Sequence, residues 1–431
     1  MRPGARIKAA ADILEDILVR HRTCAQALAD WGKANRYAGS GDRGAIGNLV
    51  YDALRRKQSL AARMGSDKPR ALALAAAPQA FGMTVDELIA AADGSTHALE
   101  PVSKPERIAL TEGASHATPA HIAGDIPEWL MPAFTRVFGD GARAEGEALA
   151  ARAPIDIRVN ALKTDREALL AALAQHKAEP TRLVETGVRL AARLGAARQP
   201  NIEAENAHGK GWFEVQDEGS QIAAHLVGAQ PGHAVLDLCA GAGGKTLALA
   251  GLMQGKGQIH AYDDDKFRLR PIFERMARAG VTNVEVLDAG DIAALKALGP
   301  RFDRVLVDAP CTGTGTWRRR PDAKWRLKAA SLKTRQDEQR AVLDLAHGFV
   351  KPGGRLIYVT CSLLAEENGD QIDGFLAARP EFALLPWREV WAEAIHTPPP
   401  MSADRSDRGL LLSPAQHGTD GFYVAVLARA A

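Results

Sequence analysis

Apolar residues recur at helical spacing at Ile7, Leu14, Ile17, Leu18 and Leu28, and again at Ile46, Leu49, Val50 and Leu54, so the first part of the chain reads as all-helical. Alanine-rich stretches at 71–77 and 87–92 extend that pattern. Pro101, Pro105, Pro119 and Pro127 then punctuate a stretch of little periodicity. A helical domain over 1–110 and a linker over 111–125 are therefore expected. From 126 to 224 the pattern is mixed: strand-like runs at 155–160, 188–190 and 212–215 and a helix over 166–176 predict a small α/β subdomain. After Pro231 short β-rich runs alternate with helical stretches, the signature of βαβ units and a parallel sheet. The strands are expected at 234–238, 258–262, 284–287, 304–307 and 355–359, with a closing strand at 422–427, and this core is taken as 225–431.

The 431 residues exceed one ordinary core of roughly 100–200 residues, which agrees with a multidomain chain. With 46% hydrophobic and 25% charged residues the composition is that of a globular protein. No apolar run reaches the ~18 residues that span a bilayer, and Arg6, Lys8, Asp12 and Glu15 interrupt the first helix, so neither a membrane anchor nor a signal peptide is expected. Cys24, Cys239, Cys311 and Cys361 form no CxxC pair, which fits a reducing cytoplasm better than a zinc or disulfide framework. The histidines are scattered and predict no metal site. Net charge is +2, yet residues 1–70 hold 14 Lys and Arg against 7 Asp and Glu, an asymmetry that favours a polyanionic partner. Nothing in the residues speaks to oligomeric state; a monomer is the default.

The first core strand runs into Cys239, Ala240, Gly241, Ala242, Gly243, Gly244 and Lys245 and then a helix. Glycines at such a turn let backbone amides approach a ligand and aim a helix N-terminus at it. A phosphate-binding loop needs glycine where Cys239 stands, and a dinucleotide fingerprint needs glycine or alanine where Thr246 stands. Both alternatives are weakened. Asp263, at the end of the second strand, is placed to accept hydrogen bonds from ribose hydroxyls. Asp288, after the third strand, is a candidate for an adenine amino group, with Asp291 behind it. Capping of a nearby helix is the competing role for each of these carboxylates.

The fourth strand ends at Asp308-Ala309-Pro310-Cys311 and the fifth at Thr360-Cys361-Ser362, which would bring two thiols to the edge that carries the glycine loop. A buried cysteine is usually an inert small hydrophobe; two at the carboxyl edge of one sheet call for chemistry. Carbon 5 of cytosine is too electron-poor to attack a methyl sulfonium, but a thiolate added at carbon 6 makes carbon 5 nucleophilic. Asp308 is placed to bond the base as charge develops on it.

These segments resemble the RsmB/Nop2/Sun family of RNA cytosine-5 methyltransferases: LDLCAGAGGKT at 236–246, VDAPCTGTG at 307–315, VTCSLLAEENGDQI at 359–372 and GTDGFY at 418–423, with RVNALK at 158–163 and VQDEGSQ at 215–221 upstream. The resemblance implies a Rossmann-like class I methyltransferase core, a small RNA-recognition-like subdomain over 126–224, and S-adenosylmethionine held by Cys239–Lys245, Asp263, Asp288 and Asp308. It makes Cys361 the nucleophile and Cys311 the group that assists product release. Many members carry a proline where this chain has Gly241 or Ala242, a departure that keeps a tight small-residue turn. Asp42-Arg43, Ile46, Val50-Tyr51 and Leu54-Arg55-Arg56 resemble the NusB-like helical domain of the bacterial RsmB branch, which points to 16S ribosomal RNA.

Directly after Cys311 come Trp317, Arg318, Arg319, Arg320, Lys324, Trp325, Arg326, Lys328, Lys333 and Arg335, cations and flat rings of the kind that single-stranded RNA requires. Arg318 and Arg319 are expected to contact RNA, as is Lys163; for Trp325 inward packing is the better reading. Three rivals stay open: the same chemistry on transfer or 23S ribosomal RNA or on DNA, a non-catalytic RNA-binding or antitermination protein, and an NAD-dependent oxidoreductase, for which no catalytic constellation is found.

Overall fold

The computed structural model describes residues 1–113, 118–197 and 199–431; residues 114–117, inside the expected linker, lie outside them. Two compact units result. One comprises Met1–Ala153, Ala192–Gln199 and Thr316–Leu327; the other comprises Pro154–Ala191, Pro200–Gly315 and Lys328–Ala431.

The first unit has no strand among its described residues. Its opening helix, Pro3–Leu18, begins with a proline in the first turn and buries Ile7, Ala10, Leu14 and Ile17 along one stripe. The helix Pro69–Phe81 buries Leu72 and Leu74 among six small side chains, Ala71, Ala73, Ala75, Ala76, Ala77 and Ala80. Thr84 with Glu87, and Ser103 with Glu106, form reciprocal caps at the starts of Val85–Ala91 and Lys104–Glu112. Within the stretch expected from residue 126 as a small α/β subdomain, Met131–Phe138 and Ala142–Leu149 are helices that bury Phe134 and Leu149 and cluster with the helical unit.

Thr316–Leu327 belongs to this helical unit, and the reason lies in unpaired backbone groups. The helix Ser40–Arg55 leaves its last carbonyls without partners, as every helix does. Trp325 Nε1 donates to Leu54 O at 2.6 Å and Lys324 Nζ to Arg55 O at 2.8 Å, a cation at a helix C-terminus. Arg55 Nε donates to Arg318 O at 2.8 Å, Cys24 N donates to Asp322 Oδ2 at 3.2 Å, and Trp317 stacks on Phe134 with centroids 5.8 Å apart.

The second unit holds two sheets. The smaller has β1 (Ile155–Val159), β2 (Glu179–Pro180), β3 (Gly187–Leu190) and β4 (Phe213–Val215) in the order β2-β3-β1-β4. Its observed pairs are antiparallel. Ile157, Val188, Phe213 and Leu169 form its core. The larger has β5 (Ala234–Asp237), β6 (Gln258–Ala261), β7 (Val284–Val286), β8 (Phe302–Asp308), β9 (Val350–Thr360), β10 (Phe382–Leu384), β11 (Leu410–Leu412) and β12 (Phe422–Arg429). The order is β10-β12-β9-β8-β5-β6-β7, with β11 beside β12. β5 pairs in parallel with both β6 and β8. The chain thus winds outward from β5 to β7, then returns to β8 and winds the other way. In such sheets ligands bind at the carboxyl ends of the strands where the winding reverses. Among the described residues no helix is long and apolar enough to cross a membrane.

Candidate active site

The reversal point is occupied by the turn Leu238–Gly243, between β5 and the helix Gly244–Leu252. Gly241 and Gly243 have φ of +52° and +82°, and a Cβ on Gly243 would come within 2.5 Å of Ile272, so only glycine fits the second position. The turn is held on three sides. Ala240 N donates to Tyr262 O at 2.9 Å, Gly241 N donates to Asp263 Oδ2 at 2.8 Å, and Thr246 Oγ1 donates to Asp237 Oδ2 at 2.7 Å. Burial pushes the Asp237 carboxyl up to about 7.

A cavity of about 860 Å³ opens beside this turn, large enough for a nucleoside-sized ligand. Cys239, Tyr262, Asp263, Phe267, Asp308 and Arg335 stand in its wall. Asp263 is buried, accepts also from Asp265 N at 3.0 Å, and faces Arg268 at 3.6 Å. Burial raises its carboxyl above the usual range against these partners. Lys245 Nζ lies 2.6 Å from Asp308 Oδ2, so the lysine answers a carboxylate, the opposite of what a phosphate loop would need.

β8 and β9 are parallel neighbours, with Asp308 opposite Val359. That register delivers Cys311 and Cys361 to one place: their Sγ atoms are 3.3 Å apart. Gly315 N donates to Cys361 O at 3.0 Å and Gly421 N to Gly315 O at 2.9 Å; a Cβ on Gly315 would meet Gly421 O at 2.4 Å. The glycines of GTG and of TDGF are where two loops touch. The Cys311 thiol is raised well above its ordinary range, first by its hydrogen bond with Cys361 and then by burial. Burial likewise raises Cys239.

Of the expected site residues, Cys239–Lys245, Asp263, Asp308, Cys311 and Cys361 come together at the carboxyl edge of the sheet. Asp288 does not; it is exposed just past β7 and forms no part of the cavity wall. Asp291 caps the helix Ile292–Ala297, accepting from Ala294 N at 2.9 Å. The expectation of RNA contact is corrected for Arg318, which is 5% exposed within the helical unit. Lys163, also expected to contact RNA, is exposed, and its Nζ donates to Lys210 O at 3.0 Å and Arg278 O at 2.7 Å, at the ends of two helices of its own unit. Arg319 is half-buried.

Three residues escaped attention as site residues. Arg158, in RVNALK, is 5% exposed; it donates to Gly244 O at 2.7 Å and to Gln216 Oε1, and so braces the glycine turn from beneath. Gln216 itself belongs to VQDEGSQ, so the two upstream motifs meet behind the loop. Glu367, in the 359–372 motif, is fully buried behind both thiol loops. Only its place inside a quoted motif could have pointed to it. Among the described residues no group of three or more His, Cys, Asp or Glu could hold a metal.

Residues 224–428 match the family described as 16S rRNA methyltransferase RsmB/F, and 126–196 match its ferredoxin-like domain. A Synechocystis protein named probable ribosomal RNA small subunit methyltransferase B is 35% identical over 71% of this chain and 67% of its own length. A Vibrio vulnificus protein named ribosomal RNA small subunit methyltransferase B is 30% identical over 72% of this chain and 69% of its own. A crystal structure of a methyltransferase homologue from Pyrococcus horikoshii superposes with a TM-score of 0.59 at 27% identity, over 73% of this chain and all of that one.

Proposed function

Starting from the fact that the chain belongs to the 16S rRNA methyltransferase RsmB/F family, we propose that it methylates carbon 5 of a cytosine in 16S ribosomal RNA with Cys361 as nucleophile. The observation that carries this reading is the pair of thiols 3.3 Å apart on the edge that also bears the glycine turn. S-adenosylmethionine fits that turn: the positive-φ glycines leave room for close approach, and the buried Asp263 carboxylate stands at the end of β6 where a ribose would be held. When bound, it supplies an electrophilic methyl group.

The protein's own residues do the rest. The Cys361 thiolate adds to carbon 6 of the base and makes carbon 5 nucleophilic. Asp308, at the end of β8, is paired with Lys245 and lines the cavity three residues before Cys311, a position from which it can bond the exocyclic amine. After transfer the proton on carbon 5 passes to solvent water, its bonding electrons re-form the double bond between carbons 5 and 6, and the Cys361 thiolate leaves carbon 6. Cys311, held as a protonated thiol in contact with Cys361, is placed to assist that release. The cytosine must leave any helix to reach the thiols, so an unpaired or flipped base is expected. The NusB-like reading of the helical unit and a cytoplasmic location belong to the same proposal.

The test is methyl transfer from labelled S-adenosylmethionine to 16S, 23S and transfer RNA by wild type, Cys361→Ala and Cys311→Ala. Labelling of 16S cytosine carbon 5, no turnover by Cys361→Ala, and a covalent RNA adduct with Cys311→Ala are expected. Turnover by Cys361→Ala would transfer the nucleophile to Cys311. Labelling of another RNA alone would move the substrate, and no transfer to any RNA would favour a binding protein.

A further inference from the structure

Behind the two thiols lies a carboxylate that touches neither of them. Glu367 ends the short turn Ala365–Glu367 and is fully buried. Its Oε1 accepts from Thr312 N at 2.8 Å and from Gln339 Nε2 at 3.1 Å. Its Oε2 accepts from the hydroxyls of Thr312 and Ser362. Thr312 follows Cys311 and Ser362 follows Cys361, so one carboxylate grips the residue after each thiol. The network is closed around it. Gln339 Nε2 also donates to Pro310 O at 2.9 Å, Asn368 Nδ2 donates to Ser362 O at 2.9 Å, and Tyr358 OH donates to Glu367 O at 2.7 Å.

Burial raises the Glu367 carboxyl above its usual range, while the bonds from Ser362, Thr312 and Gln339 favour its charged form; four donors are more than closing a turn requires, and a glutamine would serve most of these bonds. What glutamine cannot supply is the charge. The titratable groups that act on Cys311 are Cys361, in contact with it, and Glu367, with buried Tyr358 on the neighbouring strand. Cys361 and Glu367 both disfavour a thiolate at Cys311.

We propose that Glu367 is the positioning residue that assigns different tasks to the two cysteines, fixing both thiol turns and, by its charge, keeping Cys311 protonated beside the nucleophile. This rests on the cysteine chemistry proposed above. Two adjacent thiols of equal acidity would compete to add to the base. The carboxylate takes two bonds from Thr312, beside Cys311, and one from Ser362, beside Cys361, so its charge bears more on Cys311, the proton stays there, and Cys361 is left as the attacking group.

Alkylation of the full-length protein by iodoacetamide tests this without methyl transfer. The rate at Cys311, read by peptide mass spectrometry across pH 6–10, is compared between Cys361→Ala and Cys361→Ala/Glu367→Gln. A neighbouring like charge shifts a thiol by about 1–3 pH units, so the Cys311 profile should move to lower pH by about one unit or more in the double variant, near tenfold faster at pH 8. Coincident profiles would overturn the proposal. In the otherwise wild-type chain, Glu367→Gln should keep the fold and lower kcat with KM for RNA unchanged, and Glu367→Ala should lose both thiol turns. Wild-type kcat in Glu367→Gln would also overturn it. If the alkylation profile shifts but no RNA is methylated by the wild type, it is the proposed RNA reaction that fails and the charge effect of Glu367 that survives.

Discussion

The residues on either side of Gly315 are put to opposite uses. Before it, Asp308–Gly315 is a loop at the carboxyl edge of the large sheet, its glycines set by close backbone contact and its thiol turned toward a partner thiol. After it, Thr316–Leu327 is rich in arginine, lysine and tryptophan, which in sequence looks like a nucleic-acid surface, yet Trp317 and Lys324 are each 1% exposed. The lesson is that type and spacing identify a chemical site well when its parts lie at strand ends, and identify a surface poorly, because charge in a sequence carries no statement about what will cover it.

The comparison can be broken most readily at Trp317. Trp317→Ala should destabilise the helical unit by about 3–5 kcal/mol, the usual cost of emptying a buried aromatic site. Chemical denaturation, with hydrogen exchange followed over residues 40–55, measures it; a loss under about 1 kcal/mol would mean the segment is not packed there. On the other side of Gly315 the expected loss is in binding. Asp263→Ala removes a carboxylate worth about 1.5–3 kcal/mol in charged hydrogen bonds, so S-adenosylmethionine affinity by calorimetry should drop at least about tenfold.

A subtler distinction comes from Lys324, whose ammonium is pushed down to about 7 by burial. The folded chain then releases a proton near pH 7 that the unfolded chain holds to about 10.4. Between those values the unfolded state binds more protons, so stability rises with pH. The wild type should therefore gain on Lys324→Met between pH 7 and 9 in paired thermal melts. A flat difference would show that the rings of Trp325 and Trp317, at 4.7 and 5.7 Å, hold the charge in place. The smallest effect is expected at Lys333, whose side chain is 65% exposed and paired with Asp337. Lys333→Ala should change stability by less than about 0.5 kcal/mol and, if the helix Ala329–Ala346 meets RNA, reduce the salt slope of binding by about one.

The core strands were legible because alternating β-rich runs and glycine turns are local signals, and the two thiols because each follows such a strand directly. β10 and β11 were not anticipated: each is three residues long and exists by pairing with β12. The helices at 131–149 were missed because Pro127 reads as a break and the runs that follow it read as mixed; Pro132 stands in the first turn of Met131–Phe138, where proline is well tolerated. Arg158, Gln216 and Glu367 were invisible as site residues because their partners lie 86, 58 and 55 positions away. The segment after Gly315 was misjudged for the same reason at greater range. Lys324 answers a carbonyl 269 residues earlier.

That long-range answer has a consequence for how the molecule can be divided. The chain enters the helical unit, leaves at Pro154, and comes back twice, at Ala192 and at Thr316. A fragment starting at Pro154 would keep Thr316–Leu327 but lose the helix ends and aromatic bed that segment is made to meet. Trp317, a half-buried Trp325 and an uncapped Lys324, six, fourteen and thirteen residues after Cys311, would be turned out into water. The two units are distinct in architecture but not separable in a gene, and a graft of the second unit onto another helical module would have to redesign the loop or bring these helices along.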